Sequence, residues 1–477
     1  MSNGSPGYRP LSAVVLAAGE GTRMRSSTPK VLHRLCGRPM VLHVIDSLLA
    51  LPLERIVVVV GHGAEPVTKT LQEQIATETP IEFVEQRVQR GTGDAVSVGL
   101  TASGFDIDGE DDLLVIPGDA PLVRPETLAH LAREHTDAEA AATILTAALS
   151  VSTYEFGRVL RDENGRVTRI VERLDATDDE LDVPEVNTSI YCFRRSLLAP
   201  ALRRLSPENA QGEYYLTDAV EVLRQAGHVV LAVPAGDPAA ALHVNDRAQL
   251  ALAEAGLRAR INDRWMREGV SISDPDRTYI DASVELEPDV RLLPGTMLEG
   301  RTVIGAGSVI GPDSRLVDTI VGAGCVIRQS VATEAELGDD VTVGPFSHLR
   351  PGTVLANGVH IGSFVETKNA DVHEGAKIPH LAYVGDAEVG EHANLGAGTI
   401  TANYDGTRKH RTKIGKGVKT GSNTVLVAPV EVGDGAYTGA GAVVIGDVPP
   451  GALAKGVPAK IDKDWTPERE EEPEAGD

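Results

Sequence analysis

A glycine-rich string, Leu16-Ala17-Ala18-Gly19-Glu20-Gly21-Thr22-Arg23-Met24, follows the strand-like run Ala13 to Leu16, and Pro29-Lys30 comes soon after. A glycine-rich turn lets backbone N–H groups close on phosphate oxygens, and Arg23 and Lys30 bring the positive charge a triphosphate requires. The string is neither of two common phosphate loops. Met24 stands where the third glycine of a dinucleotide fingerprint belongs, and no Gly-Lys-Ser/Thr completes a Walker loop. A second group of chemistry-bearing residues lies far downstream. Arg350, Glu366, Lys368, His380, Tyr383, Asn394, Asn403 and Tyr404 interrupt a stretch otherwise built of aliphatic residues and glycines. Imidazole titrates near neutral pH and suits His380 to general-base work, while Arg350 and Lys368 suit the clamping of a phosphate.

The elements that must hold these residues differ in kind. From Leu11 to about Asn245, short aliphatic strands alternate with amphipathic helices, which predicts an α/β domain with a mostly parallel sheet. Ile56 to Val60 and Leu113 to Ile116 are continuous apolar runs, as expected of strands covered on both faces, and Val41, Leu42, Val44, Ile45, Leu48 and Leu49 repeat at helical spacing. Residues 246–268 read as a linker helix, with Leu250, Ala253, Leu257, Ile261 and Trp265 on one stripe and Gly269 at its end. A six-residue repeat then takes over, from Ile304-Gly305 and Ile310-Gly311 to Val432-Gly433 and Val444, with Thr420-Gly421 and Thr438-Gly439 in step. Aliphatic residues facing inward at that period predict a triangular coil of short parallel strands, a left-handed β-helix, about 4.8 Å between coils. Thr401 to Lys413 breaks the period and is expected to leave the coil as a loop. Residues 463–477, with Glu470-Glu471-Glu472, read as an acidic disordered tail. The expected organisation is therefore 1–245, 246–268, 269–462 and 463–477.

At 477 residues the chain calls for two cores, and its hydrophobic fraction of 42% and charged fraction of 24% are those of a globular protein. A formal net charge of -24 argues against a nucleic-acid or anionic-membrane partner. No aliphatic run is long enough to span a bilayer, and Met1 to Pro10 lacks a signal-peptide pattern, so a cytoplasmic location is expected. Cys36, Cys192 and Cys325 are widely spaced and read as reduced packing residues. Asn187-Thr188-Ser189 fits a glycosylation pattern that carries no weight without a secretory signal.

The first string resembles the signature of sugar-phosphate nucleotidyltransferases. Gln86, Gly91-Thr92-Gly93, Gly118-Asp119, Gly157-Arg158, Glu172, Asn187 and Asn245 extend the resemblance. Together with the repeat they make almost the whole chain similar to the bifunctional N-acetylglucosamine-1-phosphate uridylyltransferase and glucosamine-1-phosphate N-acetyltransferase family. That resemblance implies a Rossmann-like nucleotidyltransferase domain, a linker helix and a β-helix acetyltransferase, acting on glucosamine-1-phosphate, acetyl-CoA and UTP with Mg²⁺. It implies that Leu16, Ala17, Ala18, Gly19, Lys30, Gln86, Gly91 and Thr92 hold the nucleotide and that Gly157, Glu172 and Asn187 hold the sugar. Asp119 and Asn245 would hold Mg²⁺, and Arg23 and Lys30 would neutralise the transferred phosphates. A carboxylate and an amide are the hard oxygen ligands that a phosphate-bound Mg²⁺ prefers. In the second half His380 would be the base, oriented by Glu366, with Arg350, Lys368, Tyr383 and Asn394 around the acceptor sugar phosphate. Asn403 and Tyr404, beside that sugar, would with Ala397, Ser422, Ala440 and Lys455 take acetyl-CoA. A homotrimer with sites between subunits is also implied.

Three positions depart from the family pattern. Asp94 stands where His commonly follows Gly-Thr-Gly, and Phe156 where Tyr commonly precedes Gly-Arg. Ala454 to Lys460 lacks the arginine that usually meets coenzyme A phosphate, leaving Lys455 or Lys460 for the role. Two other readings exist: a β-helix serving only assembly or regulation, against which His380 with Asn403-Tyr404 speaks, and a subunit without turnover, against which Arg23, Lys30 and Asp119 speak.

Overall fold

β-Branched residues pack well on a pleated surface covered from both sides, and the run Ile56–Val60 is fully buried. The computed structural model describes residues 9–61, 64–102, 105, 109–148 and 156–464. The chain divides into two units, Met1–Leu257 and Arg258–Asp477. In the first unit the main sheet runs in the order Val230–Pro234, Ala142–Ala148, Glu185–Arg194, Asp112–Pro117, Leu11–Ala17, Ile56–Val60, Ile81–Glu85. Four of its six pairings are parallel, and Glu185–Arg194 is antiparallel to both neighbours. Successive residues of a strand feed opposite cores: Ala13, Val15, Ile56 and Val58 belong to one hydrophobic cluster, Val14, Val57 and Val59 to the other. Helices Met40–Leu49 and Pro125–Asp137 cover the first face, and Thr92–Ala102 and Leu216–Gln225 the second.

This sheet positions a site at the carboxyl ends of its parallel strands, the usual place for ligands in open α/β sheets. Leu11–Ala17 delivers Ala18 and Gly19 there, Ile81–Glu85 delivers Gln86, and Asp112–Pro117 delivers Gly118 and Asp119. The antiparallel strand contributes an irregularity. Its register shifts between Asn187 and Tyr191, Ser189 takes φ +53°, and the Ser189 N–H donates to Asn187 Oδ1 at 3.1 Å.

Helix Arg247–Arg267 starts one residue after Asp246, whose carboxylate accepts the Gln249 N–H at 2.8 Å as an N-terminal cap. Along its predicted stripe Ala253, Ile261 and Trp265 are buried. Gly269 ends it at φ +97°, its N–H bonding the Met266 carbonyl while the Val270 N–H bonds that of Trp265, a Schellman closure.

The second unit is a parallel β-helix. Arg291, Val309, Val326, Thr342, His360, Lys377 and Asn394 stack one above another, 16 to 18 residues apart. Three six-residue steps make one coil. Ile304, Ile310, Leu316, Ile327, Leu349, Ile361, Ile378 and Leu395 point inward and are buried. Residues Thr399, Thr420, Thr424 and Thr438 also lie inside, their hydroxyls paired across coils at 2.7 Å, so the polar atoms there are satisfied. The next partner of Asn394 is Lys419, 25 residues on, because a loop leaves the coil. That loop is narrower than the sequence suggested. Ile400–Ala402 and Thr412–Ile414 both pair within the coil, so only residues 403–411 depart. Alternating inward side chains at Thr401, Thr412 and Ile414 let these flanks keep the ladder. Of the expected tail, residues 465–477 lie outside the described residues.

Candidate functional site

The cleft of the first unit is lined by Leu16, Ala17, Ala18, Gly19, Lys30, Gln86, Gly91, Thr92 and Asp119, all singled out from sequence. Gly91 needs its lack of side chain: φ is +105° and a Cβ would come within 2.6 Å of the Tyr214 carbonyl oxygen. Thr92 Oγ1 accepts the Leu216 N–H at 3.1 Å, fixing this turn to the following helix. Gln86 is buried, and its Nε2 donates to Asp94 Oδ2 at 2.8 Å and to the Gly91 carbonyl at 3.3 Å. Asp94 also receives Arg90 at 2.7 Å. Arg23 is exposed on the turn Thr22–Met24, outside this lining.

At the floor of the cleft Lys30 Nζ is paired with Asp119 Oδ2 and donates to Asn245 Oδ1 at 2.7 Å. Burial pushes the Asp119 carboxyl pKa upward, but the Lys30 ammonium and His243 outweigh it and hold the pKa below the usual carboxylate value. The other oxygen, Asp119 Oδ1, is buried with no hydrogen-bond partner. His243 Nδ1 lies 3.6 Å from it, and His243 Nε2 is 2.8 Å from the Thr188 carbonyl. Burial lowers the pKa of this imidazole, against the raising effect of Asp119 and the carbonyl. An unpaired, ionised carboxylate oxygen beside an amide oxygen is a donor set that fits Mg²⁺.

Gly157, Glu172 and Asn187 form a neighbouring group. The Asn187 N–H donates to the Gly157 carbonyl at 2.9 Å, and a Cβ on Gly157 would lie 3.4 Å from Glu172 Oε2. Asn187 is 2% exposed with its Nδ2 donating to the Tyr191 hydroxyl, which rules out glycosylation in the folded chain. Burial raises the Glu172 pKa, helped by Asp218 and Asp175, while Thr217 Oγ1 donates to Oε1 at 3.2 Å. Phe156 packs edge-on against His243, ring centroids 5.7 Å apart.

In the second unit the chemistry-bearing residues gather on successive coils. The Gly398 N–H bonds the His380 carbonyl, the Asn423 N–H that of Ala397, and the Gly441 N–H that of Ser422. His380, Ala397, Ser422 and Ala440 therefore occupy one corner of the solenoid, and Lys455 lies against Gly439 on the next coil. His380 is exposed there. Beyond the corner, Glu366 is in register with Tyr383, and Arg350 Nη1 donates to Glu366 Oε1 at 2.7 Å. Among the described residues Glu366 is hydrogen-bonded to Arg350 and not to His380. Asn403 Nδ2 donates to the Tyr383 hydroxyl at 3.5 Å and also to Asp386. Tyr404 is exposed on the 403–411 loop. Asn394 is separate: it pairs with Lys377 and Lys419 on the face before the corner.

Sequence reasoning missed Ser189, Gln89 and His243 in the cleft and Lys409 and Asp386 on the β-helix. Lys409, close by and of like charge, joins Arg350 in pushing the Lys368 pKa down. Arg350, Lys368 and Lys409 thus stand as neighbouring cations, Arg350 being also paired with Glu366. Lys409's location in the period-breaking loop was the available signal.

The MobA-like NTP transferase domain family matches residues 13–235, and the bacterial transferase hexapeptide family matches residues 334–369 and 411–446. The chain is 48% identical to the bifunctional protein GlmU of Streptomyces avermitilis over 94% of its own length and 92% of that protein. It is 47% identical to that of Desulfitobacterium hafniense, covering 93% and 95%, and 46% identical to that of Micrococcus luteus, covering 97% and 95%.

Proposed function

The chain belongs to the GlmU family of bifunctional acetyltransferases and uridylyltransferases of UDP-N-acetylglucosamine synthesis, and on that premise we propose how its residues divide the two reactions. In acetyl transfer the amine of glucosamine-1-phosphate attacks the thioester carbon of acetyl-CoA, the C–N bond forms and the coenzyme A thiolate leaves. His380 takes the proton the amine gives up. Arg350, Lys368 and Lys409 neutralise the sugar phosphate, and Tyr383 and Asn394 orient the ring. Ala397, Asn403, Tyr404, Ser422, Ala440 and Lys455 hold acetyl-CoA. The observation that carries this half is the single corner shared by His380, Ala397, Ser422 and Ala440 on consecutive coils: a ligand extended along the stack reaches the base.

In uridylyl transfer a phosphate oxygen of N-acetylglucosamine-1-phosphate attacks the α-phosphorus of UTP in line and pyrophosphate departs, so the protein's task is alignment and charge neutralisation. Leu16 to Gly19, Gln86, Gly91 and Thr92 hold the nucleotide; Gly157, Glu172 and Asn187 hold the sugar; Arg23 and Lys30 face the phosphates. Asp119 and Asn245 would hold Mg²⁺, which when bound would supply further positive charge beside the phosphates. The free Asp119 oxygen at the floor of the cleft supports that assignment.

The working boundaries are 1–245 for the transferase domain, 246–268 for the helix, 269–462 for the β-helix and 463–477 for the tail. The assembly is a homotrimer. Two features support it: Asn394 lies on a different face from Arg350, Glu366 and Tyr383, so one chain does not gather the whole acceptor site. In addition, Phe346, Phe364 and Leu381 stand exposed beside the corner, the two rings stacked at 5.5 Å. The protein works in the cytoplasm on small molecules, without nucleic-acid or membrane partners. Among the described residues no helix is long and apolar enough to cross a membrane. The test is incubation with glucosamine-1-phosphate, acetyl-CoA, UTP and Mg²⁺, with products weighed by mass spectrometry. UDP-N-acetylglucosamine is expected from the wild type, and from His380→Ala acetylated sugar formed ~100- to 10,000-fold more slowly; acetylation by that variant at the wild-type rate refutes the assignment.

A further inference from the structure

At the floor of the nucleotide cleft His243 Nδ1 and Asp119 Oδ1 face each other at 3.6 Å. A carbonyl oxygen cannot donate, so the 2.8 Å contact between His243 Nε2 and the Thr188 oxygen places a proton on Nε2. In the neutral ring Nδ1 is then an unprotonated lone pair, and it faces Asp119 Oδ1 at 3.6 Å. That oxygen is buried without a hydrogen-bond partner, although its twin is paired with Lys30. The ring is locked in this orientation by the Thr188 carbonyl on one side and the edge-on Phe156 ring on another. Asn245 is two residues along the same segment, and the intervening Val244 N–H bonds the Asp119 carbonyl at 3.0 Å, so the three side chains are tied to one point of the backbone. A ring whose N–H is held by a backbone carbonyl, fixing the tautomer and leaving the other nitrogen free, is how a metal-binding histidine is oriented.

We propose that His243 Nδ1 is a third protein ligand, with Asp119 and Asn245, of the divalent cation at this site, and that the site consequently favours Mn²⁺ over Mg²⁺. This rests on the reading of Asp119 and Asn245 as the cation's ligands. Two ligand atoms each about 2.1 Å from one ion stand about 3 Å apart when adjacent in an octahedron, so the present 3.6 Å closes with a small shift. Among the described residues no three His, Cys, Asp or Glu side chains gather as a metal site, so amide and phosphate oxygens complete the shell. An imidazole nitrogen discriminates against Mg²⁺, which prefers an all-oxygen shell, and in favour of transition ions.

The experiment uses the full chain with Mn²⁺ and UDP-N-acetylglucosamine, read by electron spin echo modulation of the bound Mn²⁺. Nitrogen modulation is expected in the wild type and is expected to change from the ¹⁴N to the ¹⁵N pattern when only the histidines are ¹⁵N-labelled, a measurement that needs no variant. His243→Ala should remove it and weaken Mn²⁺ by ~10-fold or more while Mg²⁺ weakens less. Modulation absent, or unaffected by labelling, overturns the proposal. Asp119→Asn separates the two levels. If that variant weakens Mn²⁺ while labelling has no effect, the cation site stands and His243 is not a ligand. If Mn²⁺ fails to bind the wild type, or binds Asp119→Asn equally well, the reading of the site itself fails and the proposal with it.

Discussion

Asp119→Asn keeps the shape of the side chain and removes one charge from the floor of the cleft. In the free protein it leaves the Lys30 ammonium, whose side chain is only 14% exposed, facing neutral amide oxygens, that of Asn245 among them, in place of its paired carboxylate. Breaking one member of a buried ion pair costs ~3–5 kcal/mol, and the open mouth of the cleft favours the lower figure. For a domain of this size ~3 kcal/mol lowers the melting temperature by ~6–12 °C. Turnover should fall further than stability, since the variant lacks the carboxylate oxygen left free for a cation; an electrostatic contribution of ~4 kcal/mol corresponds to ~1,000-fold in rate. Calorimetry measures the first, pyrophosphate release from UTP and N-acetylglucosamine-1-phosphate the second, and thiol release from acetyl-CoA serves as control because His380 and its neighbours belong to the other unit. The Lys30→Met, Asp119→Asn double variant should regain much of the stability without regaining uridylyl transfer. The Asp119 pKa is lowered on folding, so its contribution is present above the unfolded value and fades as the pH falls through the folded one; the stability gap between wild type and Asp119→Asn should therefore close in acid. Uridylyl transfer within tenfold of wild type, or an equal loss of acetyl transfer, would refute the reasoning.

Three further outcomes follow from particular groups. His380→Ala should lower acetyl transfer ~100- to 10,000-fold with uridylyl transfer retained, measured by the same two assays. Lys455 and Lys460 face each other across the antiparallel pair Leu453–Lys455 and Lys460–Asp462, so the double alanine variant should raise the Michaelis constant for acetyl-CoA more than that for acetyl-dephospho-CoA, most strongly at low salt. Burial, Glu221 and Asp175 push the Asp218 pKa up to about 6. A raised carboxyl costs stability as the pH rises from the unfolded value through the folded one; allowing for solvent screening of a half-buried group and its favourable place in a helix first turn, Asp218→Asn should stabilise by ~1 kcal/mol at pH 8, by roughly half of that at pH 5 and by little at pH 3 in urea titrations.

The fold was legible wherever one local pattern determines the element. The run Ile56–Val60 could be nothing but a covered strand, and the six-residue repeat leaves a chain little choice but to coil. The antiparallel insertion of Glu185–Arg194 between two strands of other direction was not legible, because its apolar content is the same in either orientation. The extent of the 403–411 loop was likewise set by pairing: Thr401 and Thr412 break the aliphatic pattern, yet both bury their side chains and remain in the ladder.

The site divides along the same line, and its departures from the family pattern are where that matters most. Gly19, Gln86 and Asp119 follow directly on strands, so the residue type and its position after an apolar run announce them. His243 reaches the floor only because Val244 hydrogen-bonds back to Asp119, more than a hundred residues away, and Ser189 only because a bulge turns it inward. No spacing rule spans such distances. Asp94 and Phe156, odd in the linear pattern, acquire partners once folded. Asp94 holds the Gln86 amide and the Arg90 guanidinium, so the nucleotide end is re-bonded rather than emptied, and Phe156 meets the His243 ring edge-on, where a tyrosine hydroxyl would bring a further polar atom to the same corner. A phenyl ring there leaves the imidazole's unprotonated nitrogen to Asp119 alone, which makes Phe156→Tyr a conservative change with a specific consequence for whatever cation the pair holds.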